Sequence, residues 1–367
     1  MKHPSTDRFP LWAPLQVMLN QGGSLNWADL VLNQPRQLTT MFVLGSNPAV
    51  TWPNTPKVRR ALDALDFLVV MDLFMTKTAE RADIVLPAAS FLEKWTLTTW
   101  TGWMLRRPIV EPLGECRSDA NMVLELAKRM GYEQDFPWKD DLEYINWTLE
   151  PAGTTVEKIL EEHPNGVIHA HCYPGWQGYK EKGFRTPSGK VEIYSSMVES
   201  VGQEALPYYE EPREGPISTP ELFKKFPLIA TTGTREFEYW HAQHHHLPEL
   251  TRRNPEARAW ISTDDAAKYG ISDGDMIIIE SKTGSLEIKA KVTEDIKTGM
   301  ISVPHGWPDN SENMITSDQP SDPITGFPQY TGVLCRIRKK TPEQEVSKGH
   351  PNHQDTRREI LNNKQEG

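Results

Sequence analysis

The sequence predicts an α/β chain in two parts, a parallel-sheet module followed by a closed barrel of short strands. Three observations lead there. Two apolar runs, Phe67 to Met71 and Ile84 to Leu86, flank a segment of helical character, the mark of parallel strands buried on both faces. Asp72 stands directly after the first run, at the strand end where open α/β sheets receive ligands. Beyond residue 226 the texture changes to short strand-like runs divided by glycine-containing turns, which points to a barrel.

Taken in order, Met41 to Leu44 reads as the first strand and enters the turn Gly45-Ser46-Asn47-Pro48. Thr55-Pro56 is a helix start, with Thr55 as N-cap and Pro56 at the first helical position; Val58, Ala61, Leu62 and Leu65 form its apolar face. Phe67 to Met71, a short helix from Thr76 to Ala82 and the strand Ile84 to Leu86 complete a βαβαβ unit. Asn121 to Met130 has helical spacing and stops at Gly131. Between Phe136 and Tyr208 short pieces rich in proline, glycine and aromatics read as a connecting region. Within it, Phe184 to Tyr194 looks like two extended pieces joined by a Pro187-Ser188-Gly189 turn, and Tyr208 to Pro220 reads as a linker.

The barrel strands are Leu228 to Thr231, Ala259 to Ile261, Met276 to Glu280, Leu286 to Val292 and Met300 to Val303, with a helix from Thr263 to Tyr269 ending at Gly270. After Ile337 the apolar pattern is lost. The resulting divisions are a connecting segment at 1–37, the α/β module at 38–135, the connecting region and linker at 136–225, the barrel at 226–340 and a polar tail at 341–367.

A formal net charge of -10 opposes nonspecific nucleic-acid binding, which needs a basic surface. With 24 glycines and 29 prolines in 367 residues, many turns are expected and a helical bundle is not. No apolar run approaches the roughly 20 residues that cross a bilayer, and the first residues lack a secretory core, so the sequence taken alone reads as a soluble, cytoplasmic chain. Cys116, Cys172 and Cys335 are far apart and form no C-x-x-C pair, so this sequence encodes neither an iron-sulfur site nor a zinc ribbon.

Several residues admit a sharp and a plain reading. Asp72 either accepts two N–H donors from a purine edge or the O–H donors of a ribose diol, or caps the next turn. His241, His244, His245 and His246 form the densest histidine group; a metal site would use His241 with His244 or His245, but no cysteine or clear carboxylate partner follows, and zinc is the weaker reading. His169 to Tyr173, H-A-H-C-Y, offers a His-Cys pair without an orienting partner, and a structural role outweighs it. His305-Gly306-Trp307 is either a tight turn with a packed indole or a ligand contact.

Three stretches, taken together, resemble one family. The first is G-S-N-P at Gly45 to Pro48, followed by Asp72 and A-D-I-V-L-P-A-A. The second is F-R-T-P-S-G-K-V-E-I-Y with L-P-Y-Y-E-E-P. The third is T-T-G-T-R at Thr231 to Arg235, then I-S-D-G-D, H-G-W, N-M-I-T and D-P-I-T-G-F-P-Q-Y. In this order they resemble the molybdopterin-dependent oxidoreductases of the dimethyl-sulfoxide-reductase and formate-dehydrogenase type, over about Asn26 to Arg338. The loop F-E-Y-W-H-A-Q-H-H-H-L-P-E-L is similar to a pattern of the acetylene-hydratase and thiosulfate-reductase-like branch.

The resemblance implies a partial Rossmann-like domain followed by a double-psi barrel, together cradling molybdenum or tungsten bis(molybdopterin guanine dinucleotide) for two-electron redox chemistry. By matching position it gives Asn47, Asp72, Lys94 and Asp119 to the guanine dinucleotide. Thr232, Gly233 and Arg235 match the loop around a pterin and its phosphates, where glycine allows close approach and arginine forks onto phosphate oxygens. Asn313 matches a pterin-bonding asparagine, His305 lies beside a cofactor-near segment, and His241 faces cofactor or the substrate funnel. Tyr330 stands where relatives often have lysine.

The family's cysteine-rich segment for a four-iron cluster, and the domain that ligates the metal, have no counterpart in this sequence. The chain therefore resembles a C-terminal half, whose implied partners are a separately encoded or missing N-terminal half with the iron-sulfur cluster and an electron-transfer subunit. Three accounts fit: a subunit of a two-piece enzyme, a truncated product, or a noncatalytic binding module that kept the barrel.

Overall fold

The computed structural model describes residues 27–98, 103–168, 178–184, 186, 188–231, 236–319, 321–330 and 332–341. Its first sheet has three parallel strands in the order β1 (Thr40–Leu44), β2 (Phe67–Asp72) and β3 (Ile84–Pro87). Val43 pairs with Val70 and Val70 with Val85. That row faces the helices Trp27–Leu32 and Thr55–Ala64, whose Trp27, Val31, Val58, Ala61 and Leu62 are buried with Leu68 and Val70 in one core. Burying each such aliphatic side chain contributes about 1.5–3 kcal/mol. The other face is bare at its margins, with Phe42 48%, Leu44 47% and Ile84 44% exposed.

Two local expectations need correction. Asn54, not Thr55, caps the helix Thr55–Ala64: Asn54 adopts a left-handed conformation and its side chain accepts the Lys57 N–H, while the Thr55 hydroxyl turns back to the Trp52 carbonyl. The helix expected from Thr76 to Ala82 is a single 3-10 turn, Ala79–Arg81.

The connecting region holds more order than its composition suggests. Strands β4 (Thr96–Thr98), β5 (Trp103–Arg106) and β6 (Val167–Ile168) form an antiparallel sheet in that order. Helices Asp141–Leu149 and Val156–Glu162 close a small core of Leu105, Ile145, Leu149, Val156 and Ile159 over it. Residues on both sides of position 135 thus share one core. In the Phe184 to Tyr194 stretch the turn forms, with Gly189 N–H bonded to the Thr186 carbonyl, but the described residues flanking it form no strand.

The second module is a six-stranded closed barrel. Its strands are β7 (Leu228–Thr231), β8 (Arg258–Ser262), β9 (Met276–Glu280), β10 (Ser285–Thr293), β11 (Met300–Ser302) and β12 (Val333–Lys339), in the order β10-β8-β11-β7-β12-β9. Two neighbouring pairs, β8 with β10 and β7 with β11, are parallel and the others antiparallel. Alternating Ile277, Ile279, Ile288, Ala290, Ile261 and Ile301 fill the interior. Ser262 caps the helix Thr263–Tyr269, and Gly270 ends it at φ 64°. β12, absent from the sequence reading, seals the barrel between β7 and β9, and Arg336 on it pairs with Glu280 at 2.7 Å.

The two modules are bonded along one seam between the helix Thr55–Ala64 and residues 308–318. Asn54 Nδ2 donates to Asp318 at 2.7 Å and its N–H donates to the Thr316 carbonyl at 2.9 Å. Lys57 pairs with both Asp29 and Asp318, and Arg59 donates to the Pro308 carbonyl. Among the described residues no helix is long and apolar enough to cross a membrane.

Candidate functional site

The carboxyl ends of β1, β2 and β3 collect four of the residues singled out in the sequence. Asn47 follows β1, and its Oδ1 accepts the hydroxyl of buried Thr78, which itself accepts the Ala49 N–H. Thr78, missed in the sequence, thereby fixes the Asn47 amide. Asp72 ends β2, and its Oδ1 accepts the Leu73 N–H at 2.7 Å and the Phe74 N–H at 3.4 Å. The turn-capping reading is therefore realised by one oxygen; Oδ2 takes no bond among the described residues. Burial raises the Asp72 carboxyl above its ordinary range, against the lowering from the two N–H donors and the nearby His246. Past β3, the chain bridges Ala88 to Arg117, and just beyond it Lys94 pairs with Asp119 in the first turn of the helix Asp119–Arg129.

The barrel loop 236–247 faces this edge. His246 stacks on Phe74 with centroids 4.3 Å apart. His245 lies between Tyr239, at 3.9 Å, and the Trp307 indole, at 4.7 Å; burial pushes it down to about 4, so it is neutral at neutral pH. Trp307 donates to Glu236, a carboxyl raised by burial. For the His305-Gly306-Trp307 stretch the packed-indole reading thus holds at Trp307. His305 is turned inward: its Nδ1 bonds buried Glu312 and its Nε2 lies 2.9 Å from His241 Nδ1.

Asn313 is fully buried, its amide donating to the Val50 carbonyl at 3.1 Å across the seam, while its Oδ1 has no partner among the described residues. Tyr330 is partly buried, and burial with the nearby Glu312 charge pushes its hydroxyl up to about 12. Thr232, Gly233 and Arg235, and likewise His169, Cys172 and Tyr173, lie outside the described residues. Among the described residues no group of three or more His, Cys, Asp or Glu side chains is arranged to hold a metal ion. Glu312 escaped the sequence reading because no spacing marks it; only the fold brings it under His305.

The candidate site lies where the loop after β2 meets the aromatic-stacked histidines of the barrel loop, with Asn313 reaching Val50 across the seam between the two modules. Comparison with known proteins fits this division. Residues 11–129 match the family described as Molybdopterin oxidoreductase, and residues 228–334 match the Molydopterin dinucleotide binding domain. Acetylene hydratase of Syntrophotalea acetylenica is 35% identical over 303 residues, covering 81% of this chain and 40% of the relative. The alpha subunit of a formate dehydrogenase of Methanocaldococcus jannaschii is 31% identical, with 88% and 46% covered. The solved acetylene hydratase from Pelobacter acetylenicus superposes with a TM-score of 0.81 at 29% identity, over 92% of this chain and 52% of that one. The chain spans less than half the length of the two curated relatives.

Proposed function

Because the chain belongs to the molybdopterin oxidoreductase family, we propose that it is the cofactor-cradling half of a molybdenum or tungsten enzyme that carries bis(molybdopterin guanine dinucleotide). The observation that carries this reading is the seam: it sets the strand-end loops bearing Asn47 and Asp72 opposite the histidine loop of the barrel. On this reading the barrel is of the double-psi type, in keeping with its two parallel pairs.

The residues present fit such a group at two atoms. Asp72 Oδ2, at a half-buried carboxylate, and the fully buried Asn313 Oδ1 are acceptors without donors among the described residues; for Asn313 an unsatisfied buried acceptor costs about 1–3 kcal/mol. Asp72 would take the guanine edge and Asn313 a pterin N–H, with Asn47, Lys94 and Asp119 along the dinucleotide. Thr232, Gly233 and Arg235 would wrap the pterin phosphates. The bound group supplies two-electron redox chemistry at its metal, while this chain binds, orients and shields it. A complementary N-terminal half, in the same or a second polypeptide, would bring the metal's protein ligand and an iron-sulfur cluster.

Co-expression with the coding sequence immediately upstream, followed by metal analysis and acid release of GMP, is expected to yield molybdenum or tungsten with guanine nucleotide. A folded complex carrying neither overturns the proposal. In the loaded complex, Asp72→Ala is expected to weaken nucleotide retention about 10- to 100-fold, the loss of hydrogen bonds to a charged group.

A further inference from the structure

Two consecutive histidines of the barrel loop turn to different modules. His245 is anchored in the barrel: Tyr239 stacks on it at 3.9 Å, the Trp307 indole crosses it at 4.7 Å, and its carbonyl accepts the Thr251 hydroxyl at 3.1 Å. Tyr239 and Trp307 are held in turn, the first donating to the Asn254 carbonyl and the second to Glu236. His246 reaches the sheet module and lies nearly flat on Phe74, with the ring planes 16° apart. What fixes His245 therefore also fixes the place of His246.

The Phe74 backbone carries that contact to Asp72. The Leu73 N–H donates to Asp72 Oδ1 at 2.7 Å, the Phe74 N–H adds a weaker bond to the same oxygen at 3.4 Å, and the Phe74 carbonyl accepts the Thr76 N–H at 2.9 Å. Leu73 and Met75, on either side of Phe74, are 53% and 60% exposed. The loop thus has little packing of its own, and the Phe74 ring is where the barrel holds it. A carboxylate is planar, so donors placed on Oδ1 also set the direction in which Oδ2 accepts. Among the described residues Oδ2 takes no bond.

We propose that His246 and Phe74 are positioning residues for the guanine grip: through their stack, the barrel loop aims Asp72 Oδ2 at the incoming N–H donor. The identity of that donor, a guanine edge, rests on the cofactor reading above; the stack does not. An aromatic pair of this kind is worth about 2- to 10-fold in an equilibrium. Nucleotide held by the sheet module then depends on a side chain of the barrel.

Two readouts decide it, one of them without cofactor. In the full chain, NMR-detected amide hydrogen exchange at Leu73 and Phe74 is expected to quicken about 2- to 10-fold in His246→Ala. It should return to the parent rate in His246→Phe, which keeps a flat ring and drops the ring nitrogens. Phe74→Leu, which keeps apolar bulk and loses the ring, is expected to match His246→Ala. In the complex co-expressed with the upstream coding sequence, GMP retained after dialysis should fall by the same factor in His246→Ala and recover in His246→Phe. Placed beside Asp72→Ala, His246→Ala should add no further loss. Parent exchange rates or parent retention in His246→Ala overturn the proposal. So does a loss that phenylalanine does not restore, or one that persists in full beside Asp72→Ala. A parent complex without GMP sinks the cofactor reading, and the exchange rates then judge the stack by itself.

Discussion

The barrel and the parallel sheet bury their strands to different degrees. In the barrel every strand has two neighbours, and a row of isoleucines and alanines from all sides fills the centre. Among the described residues the parallel sheet has helices on one face only, and Phe42, Leu44 and Ile84 are about half-exposed on the other. Parallel sheets are ordinarily covered on both faces. The barrel thus contains what stabilises it, whereas among the described residues the second face of the sheet keeps its apolar side chains partly open.

Three substitutions break or sharpen that contrast. Ile261→Ala, at a fully buried barrel position, is expected to cost about 2–5 kcal/mol in chemical denaturation, with the loss confined to the barrel transition. A loss spread equally over both modules would show that they fold as one unit.

Lys57→Met tests the seam, and about 1–3 kcal/mol is expected, below the full cost of breaking a buried pair because the lysine is partly solvated. The pH dependence has a definite sign. Burial alone would raise the Asp318 carboxyl, but hydrogen bonds from Asn54 and Lys57 and the lysine's charge hold it below its ordinary value. Its contribution is fully present above the unfolded value of about 3.9 and is lost as pH falls through the depressed folded value. Denaturation curves of Lys57→Met should therefore lose much of the acid sensitivity of the parent; an unchanged slope would remove Asp318 from the seam's energetics.

Phe42→Ser should cost only about 1 kcal/mol in the isolated chain, since Phe42 is already half-exposed. A cost approaching that of Ile261→Ala would mean that the face is covered in solution, for instance by a second copy.

Where local chemistry and tertiary structure agree, the sequence was readable. The apolar runs at β2 and β3 and the turn-bounded strands of the barrel are visible because each is set by its own hydrophobic pattern. β12 was hidden because three of its seven residues are charged; Arg336 and Arg338 reach Glu280 on the neighbouring strand, and Lys339 reaches Asp275. The helix Asp141–Leu149 was hidden by its aromatic surroundings, although its capping pattern was there to be found: Asp140 accepts the Glu143 N–H, and Glu143 accepts the Lys139 N–H. In the site, Asp72 could be placed at a strand end from the order of elements, whereas Asn47, Lys94 and Asp119 were singled out only by the family resemblance. The inward turn of His305 could not, because Glu312 and His241 meet it only through folding.

The seam between residues 308–318 and the helix Thr55–Ala64 also limits how the site can work. Swinging the barrel away from the sheet would break the bonds of Asn54, Lys57, Arg59 and Asn313 together. These bonds therefore tie the strand-end loops and the barrel loop into one fixed relation. On the proposed cofactor reading, a group held between them would be enclosed as the protein is assembled and not gripped by a closing motion.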